Sequence, residues 1–216
     1  MVAFLAKGGI LVGPILLCSM VALTLFLERC IRFARSPVCS DGLVAQVADW
    51  LRQGQTARAR ELLQTDDTPM ARVAAHGIEV GGADADMLEM VMRHAVDEEV
   101  RGLSRYLQAL ATIGNITPVL GLLGTVIGMI KAFMVIQEMG GKVNAAVLAG
   151  GIWEAMLTTA LGLAVALPTL VGHSYLLARV ARFEARLEDG AVVLMKALCK
   201  RPAAQEGEAH GVQSQA

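Results

Sequence analysis

Three long apolar stretches divide the chain, and polar segments of very different length separate them. They cover residues 8–27, 110–136 and 145–178. Each is long enough to cross the hydrocarbon core of a bilayer as a helix, because about 20 residues that each rise about 1.5 Å span it. The pattern predicts an all-α integral membrane protein with three transmembrane helices.

The region between the first two stretches, residues 28–109, is polar but has helical periodicity. Its segment LVAQVADWLRQG, at residues 43–54, has apolar residues on one side and a terminal glycine as a helix stop. Residues 55–64 form a second short helical segment. Thr68 followed by Pro69 predicts the cap and the first position of a third helix.

A longer periodic segment follows Gly81 and Gly82 and contains no further helix breaker before the second span. It predicts one uninterrupted helix of about 50 residues that extends from the second span into solvent. The period at the end of the third span also continues, through residues 179–199. The charged residues of the first extension face either solvent or a neighbouring subunit: Asp97, Glu98, Glu99, Arg101 and Arg105. The polar tail, residues 200–216, is expected to be disordered.

Arginines directly follow the first and third spans. They are Arg29, Arg32 and Arg35 after the first, and Arg179, Arg182 and Arg186 after the third. The positive charges before the first span are those of Lys7 and the amino terminus. The positive-inside rule then places residues 1–7 and the short turn at 137–144 outside, and residues 28–109 and the carboxyl terminus inside.

The composition agrees with a membrane protein. The 216 residues are 18% charged with a formal net charge of −1, and the mean hydropathy is +0.53. The sequence contains no P-loop, no GxSxG motif and no metal-ligand spacing among its four cysteines and four histidines. We therefore expect no enzyme activity, no cofactor and no bound metal, and no nucleic acid as a partner.

Small residues recur at helical spacing in the second and third spans. In the second span they are Gly114, Pro118, Gly121, Thr125, Gly128 and Ala132. In the third they are Ala155, Thr159, Gly162, Ala166 and Thr169. Helices in lipid associate through close backbone contact, which small residues allow, so these faces predict two packed helices with Gly124 also at the interface. Pro168 is expected to kink the third helix.

Polar side chains interrupt the two apolar spans. Thr125 lies on the small-residue face, where its hydroxyl either bonds its own helical turn or lines a wet path. Glu154 either reaches water at the outer interface or serves the function, as intramembrane acids commonly do. Thr158 shares the face of Glu154, and Thr159 points elsewhere. Lys131 either reaches the membrane surface or pairs with an acid.

These residues together resemble the MotA/TolQ/ExbB proton channel family, and most closely its TolQ and ExbB branch. The matching pieces are Glu28-Arg29 after the first span, PVLGLLGTVIGMIKAF at 118–133 and EAMLTTALGLAVALP at 154–168. The resemblance covers the three spans, their order and the large loop between the first two. Trp153 departs from the small or polar residue that is usual beside the acid, and the chain begins without the long amino-terminal extension of some ExbB proteins.

The resemblance implies a homo-oligomer, a pentameric ring in the bacterial inner membrane, with a periplasmic amino terminus and a cytoplasmic carboxyl terminus. It implies that the second and third spans line a pore holding helices of an ExbD-like or TolR-like single-span partner that carries an essential aspartate. Thr125 and Thr159 then match pore-lining threonines, and Glu154 matches the acid of the third span. A TonB-like or TolA-like protein is implied downstream. The alternative is a non-conducting membrane scaffold, in which the small-residue faces serve oligomerisation alone.

Overall fold

A computed structural model describes most of the chain, and we confine the account to the described parts. They are residues 11–35, 37–40, 42–82, 84–138 and 145–199, with the side chains of 145–147 excepted. The expectations for residues 1–7, for most of the outer turn at 137–144 and for the tail at 200–216 fall outside these ranges.

Within the described residues the chain forms seven α-helices and no strand. They are α1 Val12–Arg35, α2 Leu43–Arg52, α3 Thr56–Thr65, α4 Pro69–Glu79, α5 Ala85–Ser104, α6 Leu107–Glu138 and α7 Ala145–Cys199. Three of them, α1, α6 and α7 from Leu148, are long and apolar enough to cross a membrane. The predicted all-α protein with three spans is confirmed. Pro14 is the third residue of α1, where a helix needs no amide donor, so it does not interrupt the hydrogen-bond ladder.

The chain divides into two compact units. The first contains residues 1–33 and 104–180, and therefore holds α1, α6 and the first part of α7. The helix α1 contributes a narrow buried stripe of Val12, Ile15, Ala22 and Arg29. Its Phe26 packs against Gly172 of α7, where an added Cβ would lie 2.9 Å from the ring. The other faces of the three spans expose large apolar side chains, as membrane helices do.

The second unit contains residues 34–103 and 181–216, which hold α2 to α5 and the last part of α7. Apolar side chains from these helices form its core, including Leu51, Met70, Met92, Leu187 and Leu194. Two glycines allow close packing: Gly77 of α4 lies against Met92 and Leu198, and Gly190 of α7 lies against Met70 and Val44. The helices of this unit pack around the apolar residues and remove them from water, as in a globular domain.

Local polar contacts fix the helices of this second unit. As predicted, Thr68 caps α4: its hydroxyl accepts from the amide of Ala71 at 3.4 Å, and Pro69 takes the first helical position. Arg72 of α4 donates to both carboxylate oxygens of Glu99 on α5, at 2.6 and 2.8 Å. The hydrogen bonds to Glu99 raise the pKa of the Arg72 guanidinium, against a smaller opposing effect of burial.

The predicted single helix of about 50 residues is wrong in one respect. The structure divides it into α5, which ends at Ser104, and α6, which begins at Leu107. At the division Tyr106 has a φ of 71°, a left-handed conformation that costs a residue with a Cβ roughly 1 kcal/mol. Neither glycine nor proline occupies residues 104–107, so no residue type at the break itself requires an interruption of the helix.

Candidate functional site

The helices α6 and α7 meet antiparallel in the first unit along a face of small residues, which we call the α6–α7 seam. On α6, the buried residues at this contact are Gly114, Thr117, Gly121, Gly124, Gly128 and Ala132. Facing them on α7 are Gly151, Ala155, Thr158, Thr159, Gly162 and Thr169. Residue numbers rise along one helix as they fall along the other, from the pair Gly128 and Ala155 to the pair Gly114 and Thr169.

The centre of the seam is a contact between two backbones. A Cβ added to Gly162 would lie 2.8 Å from the carbonyl oxygen of Thr117 and 3.1 Å from the Cα of Gly121. One added to Gly121 would lie 3.1 Å from the Cα of Thr159. Because backbone atoms cannot move aside as side chains do, this approach requires glycine at both positions.

A hydrogen bond between the helices crosses the seam at this same place. The Thr159 hydroxyl donates to the carbonyl oxygen of Gly121 at 2.8 Å. In a regular α-helix that carbonyl also accepts from the amide of Thr125, four residues on. The two threonines of the site are therefore linked through one oxygen atom.

The hydroxyl of Thr125 bonds its own helix. It donates to the carbonyl oxygen of Leu122 at 2.6 Å, and the side chain is half-buried at the edge of the seam. Of the two predicted roles of this residue, the structure therefore shows the bond to its own helical turn. The hydroxyl hydrogen is taken up by the helix, while the oxygen stays at a partly accessible position.

The buried face of α6 is rotated slightly from the predicted stripe. Pro118 and Thr125 lie half-buried at its edge, while Thr117 and Gly124 are buried in their place. The helix continues through Pro118, and α7 likewise continues through Pro168, which is exposed. The rotation arises because the closest contacts between the helices are made at Gly121 and Gly162 and not at the Thr125 hydroxyl.

Two of three buried threonines lie outside the predicted small-residue faces, Thr117 on α6 and Thr158 on α7, whereas Thr169 belongs to the predicted face of α7. Thr117 and Thr158 are almost fully buried, and Thr169 is buried against Gly114. A Cβ on Gly124 would overlap the methyl group of Thr158, so the glycine makes room for this side chain. Each of the three donates to the carbonyl four residues earlier in its own helix, which is how buried threonines in helices commonly satisfy their hydroxyls.

Glu154 lies next to a cation, near the end of the seam that adjoins residues 137–144. Its Oε1 is 3.7 Å from Nζ of Lys131, and the side chains are 32% and 55% exposed. The structure thus brings together the acid of the third span and the single lysine of the second. Both remain accessible, so neither is locked in the protein interior. Trp153 beside the acid points outward and is exposed.

Another charged cluster lies at the opposite end of the first unit. Arg29 is almost fully buried; its Nε is 2.9 Å from Oε2 of Glu28, and its guanidinium lies 5.1 Å from the centre of the Tyr106 ring. Arg105 lies 5.0 Å from the same ring. A cation over an aromatic face is stabilised by the ring quadrupole. The ring of Tyr106 is thereby held by two arginines at the helix break, a role that no sequence signal indicated.

Comparison with known proteins places this site in a family context. The sequence model described as the MotA/TolQ/ExbB proton channel family matches residues 65–189, which include the whole seam, Lys131 and Glu154. Among curated relatives, the ExbB-like 3 protein of Synechocystis sp. is 32% identical over 166 residues, covering 76% of this chain and 79% of that protein.

Two further relatives come from distant organisms. The biopolymer transport protein exbB1 of Vibrio cholerae is 30% identical over 183 residues, covering 83% of this chain and 80% of that protein. An ExbB homolog of Methanothermobacter thermautotrophicus is 28% identical over 176 residues, covering 81% of this chain and 62% of that protein. The family model covers the second span, the third span and the last part of the helical region before them, residues 65–189.

Proposed function

Because the chain belongs to the MotA/TolQ/ExbB proton channel family, we propose that it is a subunit of a proton channel in a bacterial inner membrane. In this proposal it works with a single-span partner of the ExbD or TolR type. The proton motive force then drives movement of the partner, which energises TonB-dependent uptake or Tol-type processes of the envelope. The chain itself is a channel subunit and not an enzyme.

The observation that carries the proposal is the state of two threonine hydroxyls. Thr125 and Thr159 each donate their hydrogen to a backbone carbonyl of α6, those of Leu122 and Gly121. A hydroxyl has one hydrogen and two lone pairs, so both oxygens are left as acceptors. Acceptors in an apolar span suit water or a protonated carboxylic acid, because the neutral form of an acid is the one favoured in a low dielectric. A partner helix carrying an aspartate fits this chemistry.

The exposed apolar surface of the spans supports an assembly. Large side chains of α6 and α7 remain uncovered in the single chain, for example Val119, Val126, Leu163 and Leu167. We propose that copies of the chain form a ring, a pentamer as the resemblance implies, with α6 and α7 toward a lumen that holds the partner helices. Lipid covers the remaining apolar surface.

The proposed topology follows the distribution of arginines. Residues 1–7 and the turn at 137–144 lie in the periplasm, and the helical region at 28–109 lies in the cytoplasm with residues 179–216. The cytoplasmic assignment rests on the arginines that follow α1 and the third span, since basic residues favour the inner side. A TonB-like or TolA-like protein is the proposed recipient of the partner's movement.

The proposal is tested by proton flux through the reconstituted complex. The chain is co-expressed with its single-span partner, purified and placed in vesicles carrying an internal pH dye. An imposed potential is expected to drive proton uptake by the wild-type complex. Thr125→Val and Glu154→Gln are expected to reduce this flux severalfold, since they remove an oxygen acceptor or an ionisable group without removing bulk.

Thr24→Val is the matched control. Thr24 lies in α1 and donates to the carbonyl of Met20 at 2.8 Å, as a span threonine outside the seam. It is expected to leave flux unchanged. A wild-type complex that conducts no protons, or Thr125→Val and Glu154→Gln complexes that assemble and support growth as the wild type does, would favour the scaffold instead. In that case only bulky changes at the seam glycines impair function.

A further inference from the structure

The contact between Lys131 and Glu154 has a defined place in the seam. The neighbouring pairs on either side, Gly128 with Ala155 and Ala132 with Gly151, are so close that an added Cβ would come within 3 Å of the facing alanine. At this point the helix surfaces touch with no large side chain between them. The long side chains of Lys131 and Glu154 flank the contact and therefore reach each other, at 3.7 Å between Nζ and Oε1.

Few other charges lie near this pair. Between Leu107 and Glu138 the second span has Lys131 as its only charged residue before Glu138, and in α1 no charged residue precedes Glu28 within the helix. On α7 the next titratable residue after Glu154 is His173, about five turns away. Lys142 is in the outer turn, outside the described residues. Among the described residues, Lys131 is therefore the cation that lies next to Glu154.

The pair is loose enough to separate. The distance of 3.7 Å exceeds that of a charge-assisted hydrogen bond, which is about 2.7–2.9 Å. Both side chains are also partly exposed, so water or a neighbouring helix reaches them. A tightly buried ion pair would serve to hold the helices, whereas a loose and accessible one is able to exchange its partner for a proton.

We infer that Lys131 is a positioning residue for Glu154: its ammonium group holds the carboxylate at this end of the seam and is displaced when a proton binds a carboxylate oxygen. In this step a proton from the outer solution binds a carboxylate oxygen of Glu154, the ion pair separates, and Lys131 keeps its own proton. Lys131 lies six residues beyond Thr125, about 9 Å farther out along α6. The pair would therefore act before the threonines on an inward proton path. This inference rests on the proposed channel function.

Carbodiimide labelling tests the inference without measuring flux. Dicyclohexylcarbodiimide reacts with protonated carboxyl groups in apolar surroundings, so its rate at Glu154 reports how often that carboxyl carries a proton. The purified complex with its partner is treated at neutral pH, and modification of the Glu154 peptide is followed by mass spectrometry. Lys131→Met is expected to increase the rate roughly two- to fivefold, the range that loss of a partly exposed ion pair produces.

Three variants serve as controls. Lys131→Arg keeps the positive charge and is expected to label at the wild-type rate. Lys142→Met removes the nearest other lysine of the sequence and is also expected to change nothing. Glu154→Gln verifies that the labelled peptide reports this residue, since its modification must disappear.

The outcomes separate the inference from the proposed function. Equal rates for wild type and Lys131→Met, or an equal increase in Lys142→Met, would overturn the role of Lys131 while leaving the channel proposal intact. A wild-type complex that conducts no protons would end the channel proposal whatever the labelling result. A faster rate in Lys131→Met alone, with unchanged thermal stability of the complex, supports a role in proton exchange over a purely structural one.

Discussion

The hydroxyl of Thr159 lies 2.8 Å from the carbonyl oxygen of Gly121, and this bond joins the third span to the backbone of the second. Such a bond depends on the glycine contact beneath it. The added Cβ that Gly121 lacks would stand 3.1 Å from the Cα of Thr159, so any larger residue there would lengthen the bond. The close packing at Gly121 and the hydrogen bond from Thr159 therefore depend on each other.

Replacing Thr159 by valine should weaken the complex by a modest amount. Valine keeps the shape of the side chain but cannot donate, while the Gly121 carbonyl keeps its acceptor role within α6. The expected loss is about 0.5–1.5 kcal/mol in the free energy of unfolding, measured by denaturation of the detergent-solubilised complex. Thr159→Ser retains the hydroxyl and should recover most of the loss. An unchanged stability in Thr159→Val would mean that the bond contributes nothing in detergent.

A methyl group at the centre of the seam should separate the two helices. In Gly162→Ala the new Cβ would lie 2.8 Å from the carbonyl oxygen of Thr117, a backbone atom that cannot rotate away. We expect overpacking to cost about 1–3 kcal/mol and to reduce the yield of assembled complex in size-exclusion chromatography. Gly150→Ala is the matched control on the same helix, because nothing lies within 4 Å of a Cβ there. Equal behaviour of the two variants would contradict the described packing.

The left-handed backbone of Tyr106 predicts an inverted glycine effect. Inside a helix, glycine is less favourable than alanine by about 1 kcal/mol. At Tyr106, with a φ of 71°, alanine carries the strain and glycine does not. Both variants lose the ring that Arg29 and Arg105 contact. Tyr106→Gly should therefore unfold at a higher temperature than Tyr106→Ala, whereas the reverse order would indicate a continuous helix through this position.

Asp66 should stabilise the second unit at neutral pH and not in acid. Burial is the largest single effect and opposes ionisation, but the hydrogen bonds from the Ser40 hydroxyl and from the hydroxyl and amide of Thr68 together outweigh it and lower the pKa of Asp66. A lowered pKa in the folded state means that the contribution is present above the ordinary value of 3.8 and is lost as the pH falls through the lower folded value.

The test compares Asp66→Asn with wild type in thermal unfolding between pH 7 and pH 3. At pH 7 the variant should be less stable, by less than about 1 kcal/mol because the site is largely exposed. The difference should shrink as the pH falls below 3.8. Asp97→Asn, on the exposed side of α5, should show no such difference. A gap that stays constant with pH would contradict the role of the charge.

The sequence predicted those features that depend on local pattern. The three spans follow from hydropathy, and the cap formed by Thr68 and Pro69 follows from the preferences of helix ends. The small-residue faces of the second and third spans identified Gly121, Gly128 and Gly162, which lie in the seam. Each of these features follows from residue types and their spacing within one segment of the chain.

Features that depend on tertiary contact could not be predicted in this way. The segment around Tyr106 reads as continuous helix, and the cations that hold the ring come partly from α1, far away in sequence. The rotation that buries Thr117 and leaves Pro118 and Thr125 at the edge arises from the closest backbone approach, which only the pair of helices defines. Likewise Lys131 had two open roles until the antiparallel register placed it opposite Glu154.

A joint formed from main-chain atoms has no rotamers through which to yield. Because Gly121 and Gly162 bring the two backbones into direct contact, α6 and the facing part of α7 have little freedom to slide or roll against each other. If an assembly of this protein works mechanically, α6 and the facing part of α7 must therefore move together as one rigid pair. In the proposed ring, the surfaces that move would then be those between the α6–α7 pairs of neighbouring copies, or between an α6–α7 pair and the partner helices.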